Sequence, residues 1–291
     1  MATATLFEKT RTLLEMIKFS HTIFAFPFAL MGVVLASLKT GAPPTAGQIF
    51  WICLAMVGAR SGAMGLNRII DARIDAENPR TAERHIPAGK VSRTEAWLFV
   101  LGSCGLLLVA AWMLNPLCFY LAPVALLFFV LYAFCKRFTA LAHVVLGICL
   151  AAAPVGAWIA LRGDVGWQVL VLGLAVLFWV AGFDIFYALQ DLDYDREKGL
   201  HSIPSRLGVK RSIVLVRIFH VAMVFLLLLL LVGTGLGWIY FAGVLAVTGL
   251  LVYEHLLVKP DDLSRLDAAF FNMNGYISVT IFAFTLVDAL V

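Results

Sequence analysis

Nine stretches of about 20 predominantly apolar residues follow one another along the chain, near residues 19–38, 47–69, 96–114, 117–135, 141–161, 167–190, 211–232, 236–258 and 269–290. A helix of that length crosses the hydrocarbon core of a bilayer. Backbone amides in lipid must be satisfied within their own segment or around a closed barrel, and the short alternating strands of a barrel are missing from the sequence. The expected fold is an all-α polytopic membrane protein, nine transmembrane helices bundled around a central cavity in a single integral-membrane domain over 1–291. Composition agrees: only 14% of residues are charged, where a soluble domain carries about 25%. The expected partner surface is the lipid bilayer, with no nucleic acid.

The first run follows a mixed-charge stretch containing Glu8 and Glu15 and is long enough to span, so it reads as a membrane segment rather than a removable leader. The five cysteines (Cys53, Cys104, Cys118, Cys135, Cys149) lie in or beside apolar runs without a C-x-x-C pair, which points to small buried hydrophobes.

Orientation follows from the basic residues. Eighteen of the 22 lysines and arginines fall in the N-terminal tail, in the loops after the second, fourth, sixth and eighth runs, or at the run ends that border those loops, while the opposite loops hold only Lys39 and Arg162. The positive-inside rule places the N-terminus and those rich loops in the cytoplasm, as expected for a bacterial inner-membrane protein. The two longest become candidate cytoplasmic caps, near 70–95 and 191–210.

Those two loops also echo one another. The second run ends in Asp71-x-x-x-Asp75 with Ile86-Pro87 beyond it, and the sixth ends in Asp191-x-x-x-Asp195 with Ile203-Pro204 beyond it. A recurrence after four runs suggests two four-helix units plus a ninth helix.

Chemistry concentrates in the same places. Asn67, Asp71 and Asp75 recur at intervals of four and stack on one helical face as an oxygen-rich stripe. Like charges at that spacing cost a few tenths of a kcal/mol. A divalent cation offsets that cost, and Mg²⁺ favours one or two carboxylates completed by substrate phosphates. Asp184, Tyr187, Asp191 and Asp195 form a second expected stripe, with Asp193 off it. Two such stripes suit two Mg²⁺ ions with a diphosphate between them. Arg60, two turns before Asn67, and the Lys136-Arg137 pair are candidate basic contacts, and Arg217, His220 and Glu254 interrupt apolar runs without an assigned role.

Taken together, Arg60, Asn67-x-x-x-Asp71-x-x-x-Asp75, Lys136-Arg137, Tyr187-Ala-x-x-Asp191-x-x-x-Asp195 and Asn272-Met-Asn274 resemble the UbiA superfamily of intramembrane aromatic prenyltransferases along essentially the whole chain. The resemblance implies a cytoplasm-facing cavity in which Mg²⁺, held by Asp71, Asp75, Asp191 and Asp195 with Asn67, binds polyprenyl diphosphate. It also implies substrate contacts from Asn67, Arg60, Lys136, Arg137, Asp184 and Tyr187, and alkylation of an electron-rich aromatic acid. The segment Ile17–Pro27 departs from the Asp-Lys-Pro-Ile-Gly-like opening of many 4-hydroxybenzoate enzymes, and Lys18 and His21 sit there as possible contacts to an acceptor carboxylate. The acceptor therefore stays open between a 4-hydroxybenzoate type, 1,4-dihydroxy-6-naphthoate of the menaquinone route, and the haem, chlorophyll and lipid acceptors of sibling enzymes. From another class, a secondary transporter would place its polar residues near the midplane on broken helices, whereas these acids cluster at helix ends.

Overall fold

The computed structural model describes residues 6–18, 24–263, 265–266 and 272–291. Its helices are α1 (Leu6–Met16), α2 (Phe26–Thr40), α3 (Ala46–Glu77), α4 (Arg93–Leu114), α5 (Pro116–Cys135), α6 (Ala142–Arg162), α7 (Trp167–Ala188), α8 (Leu192–Glu197), α9 (Ile203–Leu229), α10 (Trp238–Leu257) and α11 (Asn274–Leu290). Among the described residues the only β feature is an isolated bridge between Lys259 and Asp262. Among the described residues seven helices are long and apolar enough to cross a membrane: α3, α4, α5, α6, the α7–α8 stretch, α9 and α10. The first and last expected spans appear as the shorter apolar helices α2 and α11, and their expected starts at 19 and 269 lie outside the described residues, as does His21. Outward-facing apolar side chains such as Leu98 (66% exposed), Leu127 (65%) and Phe225 (65%) suit lipid rather than water. The five cysteines are free thiols, with Cys135 buried and the others partly so.

The chain divides into two compact units. One comprises Met1–Thr22 and Phe50–Phe134 and is built on α3, a helix of 32 residues. At 1.5 Å per residue α3 is about 48 Å long, against a hydrocarbon core of about 30 Å, so one end reaches well past the lipid tails. It lies close against α4 because Gly58 has no side chain. A Cβ there would meet Ser103 O and Leu107 N at 2.7 Å. Without a hydrophobic drive between helices in lipid, such backbone proximity and the dispersion contacts it allows hold the pair together. Ser92 and Glu95 start α4 with a reciprocal capping box. Asn115 Oδ1 accepts from Cys118 N (2.9 Å) to start α5, with Pro116 at its first position.

The N-terminal tail, expected as a charged lead-in, folds as the helix α1. It is fixed to α4 by Lys9 Nζ and Glu95 Oε1 at 3.3 Å, an exposed pair worth less than about 1 kcal/mol. Its C-terminal carbonyls carry the stronger ties, described below.

The second unit comprises Ile23–Ile49 and Cys135–Val291. Its helices pack in the order α2, α6, α7, α9, α10, α11 and back to α2, so they close a ring. The buried member is α7: Trp179, Val180, Phe183, Ile185 and Phe186 are each 3% exposed or less. Phe28 of α2 lies with its ring centroid 4.9 Å from that of Trp179. Where α9 meets α7, Gly182 makes room for His220, whose Nε2 would stand 2.5 Å from a Cβ. The expected seventh span, 211–232, is the regular part of a longer α9 that kinks at Gly208, where φ is +74°. With ψ at 173° this backbone is open essentially to glycine alone, and it costs an L-residue on the order of 1–3 kcal/mol.

Candidate active site

The first aspartate motif is held as its spacing predicts. Because α3 is unbroken through Glu77, Asn67, Asp71 and Asp75 share one face, and Asn67 Nδ2 donates to Asp71 Oδ2 at 3.1 Å. Asp71 and Asp75 are each 3% exposed. Asp75 Oδ1 accepts from Arg84 Nη1 at 2.7 Å, and its backbone carbonyl accepts from Thr81 Oγ1 at 3.0 Å. The loop after α3 thus folds back onto the motif, and one of its arginines compensates the inner carboxylate. Arg84 was legible only as one positive charge among several, because a contact nine residues downstream depends on the turn between Asn78 and Val91. Within that turn His85 is partly buried. Loss of water, then the nearby Lys90, push its imidazole below the usual histidine range.

Arg60 and Arg68 serve α1. Arg60 Nη2 donates to Lys18 O (3.4 Å) and the buried Arg68 Nε to Met16 O (3.3 Å), so two cations satisfy carbonyls at and just beyond a helix C-terminus. A backbone carbonyl is thus the partner that Arg60 finds within an apolar run. Its Nε is buried without a hydrogen bond among the described residues. Lys18, the other half of this tie, has φ +48°, the left-handed region, and is exposed.

The second motif departs from the expected continuous stripe. Helix α7 ends at Ala188, Leu189–Asp191 tighten into a 3₁₀ turn, and α8 carries Asp195. Asp184 and Tyr187 share the last turns of α7, whereas Asp191 sits at φ −102°, ψ 8°, between helical geometries, and Asp195 follows a re-aimed axis. Asp193 is exposed, as its position off the stripe predicts. Asp195 accepts a side-chain hydrogen bond from Ser202, while Leu200 N–H donates to Asp195 O at 2.8 Å. Lys136 and Arg137 stand just past α5, both half-buried, and Lys136 O accepts from His201 N–H at 2.8 Å.

The side chain that sequence reasoning missed here is His143. Its Nδ1 lies 2.7 Å from Asp184 Oδ2, and its Nε2 accepts from Ile203 N–H at 3.3 Å. A backbone amide is always a donor, so Nε2 is the bare nitrogen and Nδ1 carries the proton given to Asp184. A histidine near the start of an apolar helix is itself a signal. Of the unassigned trio, His220 and Glu254 are buried and stand beside the half-buried His255: His220 Nδ1 lies 3.1 Å from His255 Nε2 and 3.9 Å from Glu254 Oε2. Arg217 is exposed.

The donors present suit a hard cation. Asp75 Oδ2 is buried and accepts no hydrogen bond among the described residues, which leaves an anionic oxygen beside Asp71 and Asn67. Among the described residues no three His, Cys, Asp or Glu side chains form a metal cage on their own. A cation site completed by substrate phosphates has this form.

A family model described as the UbiA prenyltransferase family matches residues 25–276. The 4-hydroxybenzoate octaprenyltransferase of Cupriavidus metallidurans is 33% identical over 260 residues, covering 86% of this chain and 84% of that one. Among solved structures, a UbiA homolog from Aeropyrum pernix K1 superposes with a TM-score of 0.83 at 33% identity, covering 92% of this chain and 98% of that one. A UbiA homolog from Archaeoglobus fulgidus bound to DMAPP and Mg²⁺ shares the fold, with a TM-score of 0.71 at 16% identity over 96% of this chain and 99% of that one. Aspartate motifs, helical fold and matched length agree: the chain belongs to the UbiA prenyltransferase family.

Proposed function

We propose that this chain transfers a polyprenyl group from polyprenyl diphosphate to an aromatic acceptor of the 4-hydroxybenzoate type, in respiratory quinone biosynthesis. The observation that carries the reading is the first motif: a buried Asp75 oxygen without a hydrogen bond among the described residues, beside an Asn67–Asp71 pair, in a member of a prenyltransferase family. The name of the Cupriavidus relative supports the acceptor, and the DMAPP and Mg²⁺ of the Archaeoglobus structure support the donor and the metal.

In this reading nine helices, two four-helix units plus one, cross a bacterial inner membrane with the N-terminus and the active site cytoplasmic. The loops near 70–95 and 191–210 are its cytoplasmic caps. Asp71, Asp75, Asp191 and Asp195, with Asn67, hold Mg²⁺. When bound, Mg²⁺ stabilises the negative charge that grows on the departing diphosphate. Arg60, Lys136 and Arg137 add positive charge toward the same oxygens, and Asp184 and Tyr187 contact substrate further along α7. The allylic C–O bond breaks with its electron pair leaving on the diphosphate. A ring carbon of the acceptor bonds to the allylic carbon and then loses its proton. The apolar helices exclude the water that would capture the allylic cation first, and the prenyl tail gains about 0.8 kcal/mol per CH₂ buried in lipid.

The departure in Ile17–Pro27 gives 1,4-dihydroxy-6-naphthoate a place as second acceptor. Purified protein in lipid, given a long-chain polyprenyl diphosphate with or without Mg²⁺ and each acceptor in turn, tests both readings by mass spectrometry. Mg²⁺-dependent prenylation of 4-hydroxybenzoate is expected. Product from the naphthoate alone would move the enzyme to the menaquinone route, and no product from either would remove the aromatic-acid reading.

A further inference from the structure

His143 stands outside both aspartate motifs yet touches one of them. It projects from the start of α6, is 4% exposed, and uses both ring nitrogens: Nδ1–H toward Asp184 Oδ2 (2.7 Å) and Nε2 from Ile203 N–H (3.3 Å). Asp184 sits near the end of α7, whereas Ile203 is the first residue of α9, where the loop after the second motif ends. That end of the loop is docked once more, through His201 N–H to Lys136 O (2.8 Å), and the Ser202–Ser205 capping box then starts α9. One imidazole therefore joins an acid of the site to the docking of the loop. Each bond depends on the other, because an imidazole receiving an amide proton at Nε2 must present its own proton at Nδ1.

We propose that His143 is a positioning residue, which aims the Asp184 carboxylate only when the segment through Ile203 is docked. The proposal rests on the prenyl-transfer reading. Asp184 lies on α7 itself, whereas Asp191 closes the 3₁₀ turn beyond it. In that reading Asp184 acts on the reacting end of the substrate, while the loop governs capture of the diphosphate.

The two halves separate by mutation. His143→Asn keeps an N–H where Nδ1 stood and gives up the acceptor for Ile203. His143→Gln places an oxygen where Nε2 stood and gives up the donor to Asp184. His143→Gln is expected to lower kcat about tenfold or more at near-normal KM for polyprenyl diphosphate. His143→Asn should raise that KM about tenfold at near-normal kcat, in line with the 10–100-fold typical of residues behind a site.

Hydrogen exchange in the peptide spanning 200–206 gives a reading independent of turnover. The Ile203 amide should exchange about tenfold faster in His143→Asn and in Asp184→Ala, and remain protected in His143→Gln. Equal kinetic losses in the two histidine variants, or Ile203 exchange unchanged by Asp184→Ala, would overturn the coupling and leave His143 a packing residue. Failure of the wild-type protein to turn over would fall on the prenyl-transfer reading, and the exchange arm would still decide this one.

Discussion

The two aspartate motifs repeat a sequence pattern but not a structure. The first lies on one unbroken helix, its acids close to fully buried, one oxygen clamped by Arg84 and another bonded to Asn67. The second is spread over a helix end, a 3₁₀ turn and a six-residue helix, and its acids are partly open. Backbone and side-chain ties from the following loop hold it: Ser202 to Asp195, Ile203 through His143 to Asp184. The same residue spacing thus yields a preformed rack in one place and an arrangement conditional on loop docking in the other. Under the proposed function, positioning of a leaving diphosphate falls to a rigid element and its admission and release to a loop.

The sharpest way to break this comparison is to neutralise one acid in each motif. Asp71→Asn and Asp191→Asn preserve shape and remove charge. Each should cut kcat by about 100- to 1,000-fold, the scale of losing one main electrostatic contact to developing charge. Both variants should fold, with melting temperatures at or above wild type, because removing one of two neighbouring like charges relieves repulsion. An Asp191→Asn enzyme that keeps its Mg²⁺-dependent turnover would reduce the chemistry to the first motif alone.

Arg84→Ala sharpens the contrast from the other side. It strands the Asp75 carboxylate, which is 5% exposed, while Arg84 itself is 23% exposed and partly solvated. Losing one partner of a fully buried pair costs about 3–5 kcal/mol, so about 2 kcal/mol is expected here. If Asp75 is a cation ligand, Mg²⁺ should return more stability to this variant than to wild type, because the cation takes over the guanidinium's charge. Thermal unfolding with and without Mg²⁺ reads this directly, and an equal Mg²⁺ response in both proteins would remove Asp75 from the ligand set.

In the second region the weak point is the backbone. Gly208→Ala forces a Cβ into a φ of +74° just where the docked loop becomes the spanning part of α9. A loss of about 1–3 kcal/mol is expected. It should come with faster exchange in residues 191–207 and little change around 67–84, and a uniform effect on both regions would contradict the local character assigned to the second motif.

Much of this was legible from residues alone. The length of the apolar runs dictated helices, and the Asn67, Asp71, Asp75 spacing dictated one face because nothing interrupts α3. The same inference failed at Asp191, since Leu189-Gln190-Asp191 carries no glycine or proline to announce the 3₁₀ turn. Tertiary ties to the following loop, not local propensity, re-aim the chain there. The helical N-terminus went unseen because α1 is too short to hold itself, and Arg60 and Arg68, far along the chain, complete it. Arg84 and His143 were hidden for a related reason. A charge in a basic loop and a histidine in an apolar helix become site residues only when a fold gives them partners.

The smallest expected effect distinguishes the two loops by pH. His85, in the loop after the first motif, has an imidazole held below the usual histidine range by burial and then by Lys90, with Glu15 opposing. The unfolded chain protonates this side chain near pH 6.5 while the folded one resists, so below that value the unfolded state holds more protons. Stability from this residue is therefore complete above about pH 6.5 and is lost as pH falls through the lower folded value. Lowering the pH from 7.5 to 5.5 should reduce the melting temperature, and His85→Gln, which cannot titrate, should flatten the part of that slope due to His85. The difference is expected to be a fraction of the Arg84→Ala effect, because His85 is only partly buried. A slope unchanged in His85→Gln would assign the acid sensitivity elsewhere and leave the first loop, like the helix it closes on, indifferent to pH.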